Sequence, residues 1–356
     1  MTATESDRGF GGAVDWGLAA RAGARLAPAG PATSRYTAGA IVTELESASI
    51  RAEGPVRDVT GLADGLPIPA AQVVDRAGWI RAAARSMAHL TGSDVDPGSR
   101  SLLAGKPGGV QAGAMLAYLS SAILGQYDPF TGEHGALLLV APNVLQVERT
   151  LRVPPADFRL WVCLHEVTHR VQFSSAPWMG GYMRESVATL GDAADEPMSE
   201  FVTRLASALR ERRRGSGSDA ELPADQRGII GLLRATQPEP QRQALDRMLV
   251  LGTVLEGHAD HVMDAVGPAV VPSVARIRKA FDARRHRRSN PVQRLVRALL
   301  GMDAKMAQYV RGKRFVDTVV GRVGMDRFNT VWTGPETLPT LDEIDDPPAW
   351  IARVLG

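Results

Sequence analysis

Five consecutive residues hold most of the chemistry available to this chain: His165-Glu166-Val167-Thr168-His169. On an α-helix, residues i and i+4 stand one above the other on the same face, so both imidazoles can reach one tetrahedral metal ion. Glu166 then faces the position left for water, where a carboxylate serves as general base. A site of this kind takes zinc on three protein ligands and keeps its fourth position open. Zinc lowers the pKa of its water toward neutrality and polarises a substrate carbonyl, while Glu166 carries the water's proton to the leaving amine.

The third ligand has to come from elsewhere. A glycine three residues beyond His169 and a histidine six residues beyond it would supply one locally, but Gln172 and Ser175 occupy those positions. Downstream, Glu256-Gly257-His258-Ala259-Asp260 offers Glu256, with Asp260 on the same helical face. There Asp260 can accept the N–H of a metal-bound histidine. His258 and His261 compete for the ligand role, about 200° and about 140° round the helix from Glu256. For the oxyanion of a tetrahedral intermediate, Tyr309 is the first candidate donor and His261 the second. Cys163, two residues before His165, points away from the metal and reads as a packed core thiol.

These side chains need helices to hold them. Phe158–Phe173 shows helical periodicity, with Pro154 and Pro155 upstream and Asp157 as a plausible N-cap. Ala136–Val140 reads as a buried strand ended by Pro142-Asn143, so a small sheet precedes the motif helix. Leu137–Ala141 belongs either at a cleft edge, pairing with an extended substrate, or in the interior. Other helices are expected over Trp16–Leu26, Tyr36–Glu53, Val74–Leu90, Gly113–Ile123 and Pro197–Arg214. Further ones follow over Pro240–Asp264, Val271–Arg285, Pro291–Val310 and Arg314–Val323. Leu124–Phe130 carries turn chemistry at its end, Gly215–Asp219 reads as a flexible loop, and a tail rich in Pro, Thr and Asp closes in a turn at Trp350. The fold class is α+β, predominantly α-helical. The expected organisation is a flexible N-terminus over 1–15, a helical subdomain over 16–130, and a catalytic region with a C-terminal helical subdomain over 131–356.

Composition bounds the setting. A chain of 356 residues, 44% of them apolar, can bury a sizeable core. Net charge is +2, so nothing points globally to nucleic acid or to a membrane surface. The basic runs Arg210–Arg214 and Arg284–Arg288 read as solvated helix ends or loops. A single cysteine excludes an internal disulfide framework, and no apolar stretch is long enough for a spanning helix or a leader. The expected location is cytoplasmic.

Taken together, His165 to Phe173, Glu256 to Asp260, Leu124-Gly125-Gln126-Tyr127-Asp128 and Asp15-Trp16 resemble the actinobacterial zincin-like family, over nearly the whole chain from about Asp15. Its members are described as zinc-dependent metalloproteases or hydrolases, or as proteins associated with deazaflavin coenzyme biosynthesis. The resemblance implies a mostly helical zincin-like fold with zinc on His165 and His169. Glu256 as third ligand carries over by analogy with gluzincins. The coenzyme link is one of gene association and implies neither synthesis nor binding of that coenzyme.

The expected function is a zinc metallopeptidase cleaving a peptide or similar amide bond, its partner a peptide or protein substrate. Two other readings compete. One is a zinc-stabilised scaffold or regulatory binding protein, which a fourth protein ligand such as His258 or His261 would favour. The other is a zinc amidase acting on a small metabolite, which cleft size would separate from a peptidase.

Overall fold

The motif helix packs against one long helix and against a three-stranded sheet. The structure, a computed structural model, describes residues 14–93, 105–192, 234, 236–285 and 302–356. Its first elements are α1 (Trp16–Leu26), α2 (Arg35–Thr60), β1 (Gln72–Val74), α3 (Arg76–Leu90) and α4 (Lys106–Leu119). There follow β2 (Gly125–Asp128), β3 (Ala136–Val140), α5 (Ala141–Leu151), α6 (Pro155–Ser175) and α7 (Trp178–Asp192). Then come α8 (Glu239–Ala265), α9 (Gly267–Val270), α10 (Val274–Arg285) and α11 (Met302–Val323). The chain closes with α12 (Met325–Phe328), two 3-10 turns, α13 (Leu341–Asp345) and α14 (Pro347–Leu355). The fold is α+β and predominantly helical, with the small sheet ahead of the motif helix. The helix expected over Pro197–Arg214, the Gly215–Asp219 loop, the basic run Arg210–Arg214, most of 1–15 and the stretch from Pro291 to Gly301 lie outside the described residues.

Contacts divide the chain into two compact units, one of Met1–Gly181 with Ala259–His286, the other of Tyr182–His258 with Arg287–Gly356. In the first, β3 is the middle strand, parallel to β1 and antiparallel to β2. Strand side chains alternate between faces, so Leu137 and Leu139 join the core beneath α2 and α6, and Leu138 and Val140 join the core beneath α3 and α4. Every residue of β3 is buried, as expected of a strand covered on both faces. Being paired on both sides, β3 is interior and cannot be the cleft edge. The edges are β1 and β2, and β2 fills most of the Leu124–Phe130 segment, ahead of the turn at its end.

Helix α6 starts with Pro154 at its N-cap and Pro155 at the first helical position, where a missing N–H costs nothing. Asp157 is therefore three residues inside the helix rather than its cap, and accepts the Ser273 N–H at 2.9 Å. Phe158, Trp161, Val162, Leu164, Val167 and Val171 are all buried. So are Arg159 and Arg170, and buried cations need partners. Arg159 pairs with Glu148 at 2.8 Å and with Glu44, and Arg170 pairs with Glu53 and donates to the Pro69 carbonyl at 2.6 Å. Glu44 and Glu53 lie on α2, whose Ile41, Leu45, Ala48, Ala52 and Val56 recur at helical spacing in the same core as the α6 side chains.

Several boundaries differ from those read in sequence. Helix α2 runs on past Glu53 to a left-handed Gly61, Val74 closes β1 before Asp75 caps α3, and α4 begins at Lys106 rather than Gly113. The turn expected at Trp350 is a helix, α14. In the second unit, the two helices expected on either side of Arg311 form one, α11, which passes through Gly312 unbroken. The missing side chain there has a packing reason. A Cβ on Gly257 would stand 2.7 Å from Gly312 Cα, so α8 and α11 cross backbone to backbone. No helix among the described residues is long and apolar enough to cross a membrane.

Candidate metal centre

His165 and His169 stand half-buried on one face of α6, one turn apart. Their Nε2 atoms lie 3.2 Å apart, with the rings nearly perpendicular at 86°. Two nitrogens each bound about 2.0–2.1 Å from a tetrahedral ion stand roughly 3.3 Å from one another. The observed spacing therefore suits a shared metal. Glu256, on α8, completes the group, one ligand atom from each of the three lying within 4.8 Å of the others. Two imidazoles and one carboxylate are the donor set of a three-ligand site with room for a fourth. His165, His169 and Glu256 could thus hold a metal ion.

The next shell differs from expectation. His169 Nδ1 is 2.9 Å from Gln172 Oε1, so the amide oxygen accepts the Nδ1–H in the tautomer that leaves Nε2 free to ligate. In sequence Gln172 figured only as the residue standing where a glycine would be, although its i+3 spacing from His169 already placed it within reach. Asp260, expected against a ligating histidine, instead faces Arg278, with its Oδ1 3.5 Å from Arg278 Nη1. The competing histidines do not join the group. His258 is fully buried and stacks on Phe328, with ring centroids 5.4 Å apart, beside Trp332. His261 is half-buried on α8 and outside the metal-binding group. Tyr309 falls on α11, and its side chain lies outside the described residues.

Glu166 is 6% exposed, and its carboxylate lies against the backbone of β2. A Cβ on Gly125 would be 2.6 Å from Glu166 Cγ and 2.9 Å from Oε1, so only glycine leaves the carboxylate where it is. Strand β2 is thus an unforeseen part of the site. The bond from the Val140 N–H to the Leu124 carbonyl sets the ladder, and in that register Gln126 and Asp128 also bond to β3. The backbone groups of Gly125 and Tyr127 consequently face away from β3. Cys163 is buried with its Sγ 3.8 Å from the Leu45 carbonyl. Burial, reinforced by the Glu166 charge, pushes its thiol well above the usual range, as suits an inert core residue.

A family model described as zincin-like metallopeptidase matches residues 14–351. The chain belongs to the zincin-like metallopeptidase family. It is accordingly a hydrolase. A solved structure from Chloroflexus aurantiacus, provisionally described as a hydrolase with a novel fold, is 29% identical. The match covers 96% of this chain and 98% of that one, with a TM-score of 0.62. Among curated proteins no relative matches the chain.

Proposed function

We propose that this zincin-like protein is a zinc metallopeptidase that cleaves peptide or similar amide bonds, with His165, His169 and Glu256 as zinc ligands and Glu166 as general base. The convergence of those three donors within 4.8 Å carries the reading. When bound, the metal supplies a Lewis acid and a water that ionises near neutral pH. Glu166 takes a proton from the attacking water and hands it to the leaving nitrogen. Gln172 holds the His169 ring in its ligating tautomer. His261 and Tyr309 remain the candidate donors to the developing oxyanion.

A peptide fits better than a small metabolite because of β2. Its free backbone groups at Gly125 and Tyr127 offer an extended chain the hydrogen bonds of an added strand, and Gly125 lies against Glu166. An amide bond in that chain would be held beside the base. The partner proposed is therefore a peptide or an extended protein segment. The packing of His258 against Phe328 speaks against a closed four-ligand site and so against a purely structural zinc. A single cysteine suits a reducing compartment, and the proposal places the enzyme in the cytoplasm. The resemblance to proteins associated with deazaflavin coenzyme biosynthesis brings no residue to this scheme.

The test is a Glu166→Gln variant assayed on a peptide library beside the wild type, with metal content measured by elemental analysis. Near-stoichiometric zinc in both is expected, with turnover reduced about 10²–10⁴-fold in the variant. Equal cleavage by both proteins would overturn the assignment of Glu166.

A further inference from the structure

None of the residues around one apolar cavity of the first unit belongs to the candidate metal group His165, His169 and Glu256. This cavity, about 480 Å³, opens where the parallel strands β1 and β3 end and α3 and α5 begin. Ile41, Val42, Val73, Pro142 and Leu145 are among the side chains that line it. Its volume falls within the roughly 300–1,000 Å³ typical of small-molecule sites. The carboxyl ends of parallel strands, where helices start, are also a general location for ligands in sheets with helical crossovers.

One lining side chain is out of character with the rest. Arg76 is only 6% exposed. Its Nε donates to Asn143 Oδ1 at 2.8 Å, its Nη1 to the carbonyls of Pro28 and Ala29 at 3.1 and 2.6 Å, and its Nη2 to Gln146 Oε1 at 2.7 Å. All four acceptors are neutral, and among the described residues no carboxylate pairs with the guanidinium. Burial accordingly draws its pKa below the usual arginine value. An arginine has five N–H groups, so these bonds leave one on Nη2 for a ligand. Asp75 lines the same cavity, but its Oδ1 accepts the Gly78 N–H at 2.6 Å and so caps α3. No side chain caps the 11-residue α5, whose positive end also meets the cavity at Ala141 and Pro142. The wall therefore combines an apolar lining, a buried cation without an anionic partner and an uncapped helix N-terminus.

We propose that this cavity binds a small apolar monocarboxylate, its carboxylate set against Arg76 and the start of α5, its hydrocarbon body among Ile41, Val42, Val73 and Leu145. Such a carboxylate could come from an acyl chain or from an acylated apolar amino acid, and both present the same chemistry to the wall. The charge and the apolar body contribute separately, so a neutral analogue of equal length should bind more weakly without losing the site.

Calorimetric titration of the full-length, zinc-loaded protein with octanoate, N-acetyl-leucine and 1-octanol tests this. Saturable one-to-one binding of at least one carboxylate is expected, at least tenfold tighter than 1-octanol, and the tighter of the two carboxylates identifies the source. Arg76→Gln should bring the carboxylate down to the affinity of 1-octanol while leaving 1-octanol unchanged. Ala38 lies exposed at the rim, so Ala38→Trp can obstruct the mouth without touching the core, and it should weaken all the ligands tenfold or more. That variant keeps the test open if Arg76→Gln does not fold. Absence of saturable binding, equal affinities for octanoate, N-acetyl-leucine and 1-octanol, or unchanged binding in Ala38→Trp would overturn the proposal.

Discussion

Glu166 and His169 depend on neighbours that contribute no ligand atom. The Glu166 carboxylate keeps its place because Gly125 has no side chain. Gly125→Val should therefore cut turnover by at least tenfold while zinc remains near stoichiometric, since the atoms nearest that position belong to Glu166 and not to any of the three ligands. A variant with full activity would show that the base does not need this wall. Gln172 contributes differently, through the Nδ1 of His169 at 2.9 Å. Removing a partner of this kind typically weakens metal binding about 10–100-fold. Gln172→Ala should thus show that loss in a chelator competition assay, with Gln172→Glu, which retains an acceptor, recovering much of it. Equal zinc affinity in the wild type and Gln172→Ala would remove Gln172 from the site.

At the scale of elements, helix α6 can carry its polar metal face only because its other polar groups are neutralised by α2 and α5. Arg170 follows His169 directly and pairs with Glu53, which also bonds Arg57 at 2.8 Å. Removing one partner of a buried pair generally costs about 3–5 kcal/mol, because the other charge is left desolvated. Arg57 still compensates Glu53, so Arg170→Met should fall near the lower end, about 3 kcal/mol, in urea unfolding. A loss under about 1 kcal/mol would mean that the pair is dispensable. Sequence patterning revealed these elements unevenly. Helix α1, strand β3 and the motif helix were legible because their periodicity and their Pro and Asp punctuation are local. Strand β2 was hidden because its four residues owe their conformation to pairing with β3 across a turn. The continuity of α11 was hidden because Gly312 ordinarily signals a break, and its role here is set by Gly257, distant in sequence. The contact of Asp260 with Arg278 is hidden for a similar reason, as Arg278 sits on the next long helix and no spacing rule links the two.

For the molecule as a whole, the metal should be a folding ligand as well as a catalyst, because its donors come from two segments far apart in the chain, the His165–His169 pair and Glu256. An ion that binds only the folded state stabilises it by RT ln(1 + [L]/Kd), about 4 kcal/mol at a thousandfold excess over Kd. For bodies of some 150–250 residues, each kcal/mol moves Tm by roughly 2–4 °C. Chelation should therefore lower Tm by about 8–16 °C, and restoring zinc should return it. Variants then separate catalysis from cohesion. Glu166→Gln retains every ligand and should keep the full zinc-dependent shift while losing turnover. His169→Ala loses a ligand and should lose most of the shift along with turnover. A scaffold that merely uses zinc would reproduce the thermal shift but would show no cleavage in the wild type for Glu166→Gln to abolish. If scanning calorimetry finds the same Tm with and without chelator in the wild type, the three donors do not hold a metal that matters to the folded state. His165, His169 and Glu256 would then have to be read as polar packing, and the general base would have no activated water to deprotonate.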